Sequence, residues 1–190
     1  MLFITANPNI IGETSNEIVD YSTISRPVNN ITFLNLIWGK NDGPPVPVIS
    51  VNTIKQLLDY EITAVSPDRI SIGLPIIGYD WALPYIAGKT EANSLTIDAA
   101  INLANDTGTV IQFDDLSQTP FFLYYQYHNG LQTEHITRFI DARTIDALLN
   151  LITGYELAGI GVWNAMTFYD QLWLMINARY EIKKIIPDNL

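Results

Sequence analysis

The sequence predicts an α/β fold with mainly parallel strands, and three observations carry that prediction. Short β-type runs alternate with helix-type segments along most of the chain. The strand runs, such as "ISIGLPII", are apolar on both faces, as parallel strands covered on both sides must be. The 190 residues suffice for one sizeable core and fall short of two full-sized domains, so residues 1–190 are read as one unit.

The β-type runs are Leu2 to Ala6, Ile31 to Ile37, Ile70 to Leu74 and Gly159 to Trp163. Gly and Pro content marks "GKNDGPPVP", residues 39–47, as a loop. Ile54, Leu57, Leu58 and Ile62 recur at helical spacing after Ser50 and Asn52, either of which can cap the helix. The same logic gives a helix over Ala142 to Glu156, through Ile145, Leu148, Leu149 and Ile152. Trp173, spaced with Leu174 and Ile176, is expected in the core of the last helix.

From Gly88 to Ile140 the βα rhythm breaks. A helix-like "SLTIDAAINLAND" is followed by a turn at Thr107-Gly108 and the strand "TVIQFDD". Two further strands flank Asn129-Gly130, a hairpin signal because both residues tolerate positive φ. The segment 88–140 therefore reads as a small α+β insertion. Just before it, "GLPIIGYDWALPY" (73–85) starts as a buried strand and then sets an acid between two large aromatics.

Composition excludes several function classes. Apolar residues make up 48% and charged residues 16%, the range of globular proteins. A net charge of −10 leaves little basic surface for a phosphate backbone, so no nucleic-acid partner is expected. The apolar runs stop well short of the roughly 20 residues of a membrane span. The first residues lack a secretory pattern, and without cysteine there is neither disulfide framework nor thiolate chemistry. His128 and His135 have no neighbours at metal-ligand spacing, so no metal and no cofactor are expected. G-x-S-x-G, P-loop and G-x-G-x-x-G motifs are absent from the sequence.

Taken in order, "LFITANP", "VDYSTISRPVNNITFLNLIWGKNDGPP", "SPDRISIGLPIIGYDWALPY", "FDDLSQTPFF", "HITRFIDARTIDALL" and "GIGVWNAMTFYDQLWLM" resemble the second half of a glycoside hydrolase family 18 barrel. The likeness is to the spore-cortex-lytic and spore-germination type. It implies a partial (β/α)8 (TIM) barrel, strands five to eight, with the α+β insertion before the last barrel strand. Its most specific stretches are Gly73-Leu74-Pro75, Gly78-Tyr79-Asp80-Trp81 and Gly159 to Trp163.

In such a barrel the site forms at the C-terminal ends of the strands. The resemblance implies that Trp163 is the aromatic floor beneath the sugar, with Trp38 lining the same cleft. Tyr79, Asp80 and Trp81 would emerge on that face as ring and hydrogen-bonding contacts. Each has an open structural alternative: Trp163 as barrel-top core, Trp38 as a loop anchor, Asp80 as a turn cap and its aromatic neighbours as packing.

The family cleaves by substrate assistance, with carboxylates from a D-x-x-D-x-D-x-E motif ending strand four. That motif does not occur in this sequence, which matches from strand five onward. At strand six the family's Met-x-Tyr-Asp is replaced by Leu34-Asn35-Leu36-Ile37 before Trp38-Gly39, removing two polar groups that hold the acetamide. No other acids substitute: Asp114 and Asp115 alternate across a strand, and Glu61 near Asp59 carries no burial signal.

The resemblance thus implies a chain that binds N-acetylglucosamine-containing glycans, peptidoglycan or chitin, without cleaving them alone, and no catalytic residue is assigned. Half a barrel leaves two strand edges and an apolar inner face to cover, so a homo-oligomer or a complementary N-terminal half is expected. The alternatives are the C-terminal part of a glycosidase completed by that half, or a structural assembly module. The family suggests a cell-wall or spore-associated setting, while the sequence itself leaves the compartment unknown.

Overall fold

The structure is a computed structural model that describes residues 2–6, 19–34, 41–163 and 167–181, with the side chains of Phe3, His128 and Trp163 left out. In chain order the elements are β1 (Phe3–Ala6), α1 (Tyr21–Ile24), β2 (Asn30–Phe33), α2 (Val51–Glu61), β3 (Ile70–Pro75), β4 (Gly78–Leu83), β5 (Asn93–Leu95), α3 (Ile97–Asp106), β6 (Gln112–Asp114), β7 (Thr119–His128), β8 (Leu131–Arg138), α4 (Ala142–Gly154), β9 (Gly159–Trp163) and α5 (Asp170–Arg179).

Four strands form a parallel sheet in the order β1-β2-β3-β9. Ile70, Ile72 and Leu74 of β3 are buried on one face, and Gly73 and Pro75 are buried on the other. Helices α2 and α4 pack together outside the sheet through the apolar stripes that periodicity predicts. Ser50 is extended and its hydroxyl accepts the Thr53 N–H at 3.3 Å, which fixes the start of α2. Asp141 does the same for α4, accepting from the Arg143 and Thr144 N–H groups. At the opposite rim the Arg69 guanidinium donates to the Ser25 and Val28 carbonyls and ties β3 to the turn after α1.

The remaining strands form an antiparallel sheet, β5-β4-β8-β7-β6, inserted between β3 and α4. Asn129 and Gly130 take φ of 50° and 78° at the β7–β8 turn, the two positive values of a type I′ hairpin. The insertion sheet starts earlier than the 88–140 reading, because β4 at Gly78–Leu83 already belongs to it. Only Ile76 and Ile77 separate β3 from β4, so an unbroken apolar run hides the change of sheet. Gly78 permits it: a Cβ there would sit 2.9 Å from the Phe139 Cβ.

Two side-chain placements differ from the sequence reading. Leu172 is the buried anchor of α5, Trp173 is half-buried and Leu174 is 68% exposed, since residues one apart on a helix cannot share a face. Glu61 is fully buried, because it continues the Ile54, Leu57, Leu58 stripe by one more helical step.

Candidate functional site

The strand ends define the candidate site. β3 and β9 run side by side in register, Pro75 opposite Trp163, so both strands finish on the same C-terminal rim. The Trp163 backbone is therefore placed at the rim, while Leu36, Ile37 and Trp38 lie outside the described residues. From this rim rise the 41–49 loop and, two residues beyond β3, the strand β4 carrying Tyr79, Asp80 and Trp81.

The triplet lies inside a strand, not at a turn, so its side chains alternate between faces. Tyr79 and Trp81 share one face with ring centroids 5.6 Å apart. Trp81 is fully buried and its indole N–H donates to the Gly43 carbonyl at 2.9 Å. Two more bonds fasten the same loop to the insertion: the Tyr85 hydroxyl donates to the Asp42 carbonyl at 3.2 Å, and the Ala92 N–H to the Asn41 carbonyl at 2.7 Å. Burial raises the pKa of Tyr79, and the Asp42 charge adds to the effect.

Asp80 points to the opposite face, where it is 4% exposed. One carboxylate oxygen accepts from the Thr137 hydroxyl at 2.8 Å. The other accepts from the Tyr124 hydroxyl at 3.1 Å and from His135 Nδ1 at 2.9 Å. Because a carboxylate only accepts, the His135 proton is assigned to Nδ1. Burial pushes the Tyr124 pKa well above the ordinary phenol value, reinforced by the Asp80 charge and by the hydrogen bond to it. The cluster is a satisfied polar knot joining β4, β7 and β8.

The sequence marked Asp80 and missed these partners. Their one signal was alternation along β8, which sets His135 and Thr137 on one face. Of the residues brought together here, Tyr79, Asp80 and Trp81 are all buried among protein partners. Their contribution in this structure is to fix the wall and the loop beside the rim.

Of the other acids weighed from sequence, Asp59 and Asp114 have structural partners. Asp114 accepts the Leu116 and Ser117 N–H groups and closes the turn into β7, with Arg138 3.9 Å away. Burial lowers the Arg138 pKa, and the Asp114 charge partly offsets the effect. A groove of about 1020 Å³ lies between α2, α4 and the β6–β7 turn, lined by Lys55, Phe113, Asp115, Arg143 and Asp146 among others and by none of the candidate sugar-binding residues. Among the described residues, no group of His, Cys, Asp and Glu is gathered to hold a metal.

No protein-family model matches the chain. It is 33% identical over 165 residues to a cortical fragment-lytic enzyme of Bacillus subtilis (strain 168), covering 87% of this chain and 38% of that protein. The spore cortex-lytic enzyme SleL of Bacillus cereus superposes with a TM-score of 0.88 at 27% identity, over 96% of this chain and 42% of SleL. A chitinase of Chromobacterium violaceum ATCC 12472 shares the fold at 18% identity, with a TM-score of 0.78 over 92% of this chain and 53% of the chitinase. The chain thus spans about two fifths of the length of the cortex-lytic relatives it matches. Four parallel strands in chain order, an antiparallel insertion before the last of them and these likenesses together give the kinship: the chain is similar to the C-terminal half of a glycoside hydrolase family 18-type barrel of the spore cortex-lytic kind.

Proposed function

We propose that this chain is a carbohydrate-active module that holds N-acetylglucosamine-containing glycans, peptidoglycan or chitin, and does not cleave them by itself. The observation that supports this most is the end of β9 at Trp163, beside Pro75 on the rim where barrels of this type bind their ligands, in a sequence without the acid motif. Trp163 and Trp38 offer ring faces to the sugar. Tyr79, Asp80 and Trp81 act as the packed base that keeps the insertion sheet and the 41–43 loop in place. The glycan class is supported by relatives named as a cortical fragment-lytic enzyme and a chitinase.

The outer edges of β1 and β9 have no strand beside them among the described residues. This favours a companion that covers the open sheet, either a second copy of the chain or a complementary N-terminal half bearing the acids. The test is a titration with N-acetylglucosamine oligosaccharides and peptidoglycan fragments, read by tryptophan fluorescence and product analysis. Saturable binding, its loss in Trp163→Ala, and no cleavage products are expected. Hydrolysis by the chain alone, or no binding at millimolar sugar, overturns the proposal. Cleavage appearing only after an N-terminal half is mixed in identifies that half as the companion.

A further inference from the structure

We infer that the groove between α2, α4 and the β6–β7 turn docks the short peptide branch of a peptidoglycan strand, an inference that rests on the glycan-binding function proposed above. Its volume of about 1020 Å³ stands at the upper end of the roughly 300–1,000 Å³ of small-ligand sites. Val51, Ala147, Leu151 and Met175 give it an apolar lining. Val51 and Ala142, which also line it, are the first residues of α2 and α4, so the groove opens beside the rim that the 41–49 loop leaves on its way into α2. A branch hanging from a sugar strand on the rim has a short path into it.

The backbone of β6 supplies the recognition. This strand pairs with β7 alone, which leaves its other edge without a strand among the described residues. Phe113 lies opposite Pro120, and the Pro120 carbonyl accepts the Phe139 N–H at 3.3 Å, so it points toward β8 and away from β6. Phe113 is therefore the non-hydrogen-bonded position of its pair, with its own N–H and C=O directed away from β7. Phe113 also lines the groove. A peptide laid along that edge finds one donor and one acceptor at the spacing of its own amides, which is how extended segments add to a sheet.

Charge selects the peptide. Arg143 is held by Asp141 at 2.7 Å and lies over the Phe113 ring, 4.2 Å from its centre, while Asp146 is paired with Arg179. The remaining charged groups of the groove, Lys55 and Asp115, are exposed and take part in none of the ion pairs among the described residues. One cation and one anion left over in the same groove match a ligand that carries both a carboxylate and an amine. The peptide branch of peptidoglycan carries free carboxylates and, on its diamino acid, an amine. Chitin carries neither, so the groove favours peptidoglycan of the two glycans proposed above.

The test is calorimetric titration of the chain and of Lys55→Ala/Asp115→Ala with N-acetylglucosaminyl-N-acetylmuramyl tetrapeptide, the same disaccharide stripped of its peptide, the free tetrapeptide, and a tetraalanine blocked at both ends. Both altered side chains are exposed, so the variant is expected to keep the circular dichroism spectrum and melting temperature of the parent. The peptide-bearing disaccharide is expected to bind the parent about tenfold more tightly than the bare one, and the variant is expected to lose that difference. Amide exchange at Phe113 is expected to slow when the free tetrapeptide is added. Equal affinity for the bare and peptide-bearing disaccharides, an undiminished difference in the variant, or unchanged exchange at Phe113 overturns the groove and leaves the glycan-binding function standing. Blocked tetraalanine bound as tightly as the free tetrapeptide overturns the choice of the peptidoglycan branch as occupant. A bare disaccharide that does not bind, with the tetrapeptide still held through Lys55 and Asp115, overturns the glycan-binding function and keeps the groove.

Discussion

Asp80 sits mid-strand with its carboxylate out of water, an arrangement that persists only because Thr137, Tyr124 and His135 supply donors to both oxygens. Asp80→Ala leaves three buried donors without their acceptor and is expected to cost about 2–3 kcal/mol, read from urea unfolding midpoints. The sequence announced this acid by its setting between Tyr79 and Trp81. It could not announce the partners, which lie 44, 55 and 57 positions away and are joined only when three strands pair. Tyr169 gives a pH-dependent prediction. Burial, then the charges of Asp141 and Asp98, push its pKa from 10.0 up to about 12. A raised folded-state pKa contributes stability fully present below pH 10 and lost as pH climbs through about 12. Melting temperatures across this window are expected to fall less steeply in Tyr169→Phe than in the parent.

Among elements, the helices were the most legible, since Ser50 and the Ile54, Leu57, Leu58 stripe already state where α2 begins and which side is buried. The β7–β8 hairpin was equally plain from Asn129-Gly130. Strand β4 was hidden, because "GLPIIGYDW" is apolar almost throughout and carries no cluster of turn residues at the Ile76-Ile77 junction. Gly78→Ala tests that junction directly. The added methyl meets Phe139 and is expected to destabilise the fold by about 1–3 kcal/mol, measured by thermal unfolding. The loop clasp gives a second test. Trp81→Phe keeps a ring in the core and removes the bond to Gly43, a loss of about 1 kcal/mol, and amide exchange is expected to quicken in residues 41–43 before it does so in β7 or β8.

At the level of the whole molecule, four parallel strands form an open sheet, and Phe168 and Leu174 near its last helix stand 69% and 68% exposed. Composition and alternation sufficed for the α/β class. The number of strands that close around the site is set by what lies beside β1 and β9, which residue patterns within one chain do not encode. If a second copy covers those edges, sedimentation at micromolar concentration is expected to give twice the 21.3 kDa mass, and Trp163→Ala is expected to leave that mass unchanged.

The loop clasp also bears on transplantation. Residues 78–140 read as a cassette with neighbouring ends, suited to grafting onto another barrel. Three of its hydrogen bonds, however, terminate on carbonyls of Asn41, Asp42 and Gly43, which belong to the host. A recipient lacking that tripeptide would accept the sheet and orphan the indole of Trp81, so donor strand and host loop have to be moved as one part.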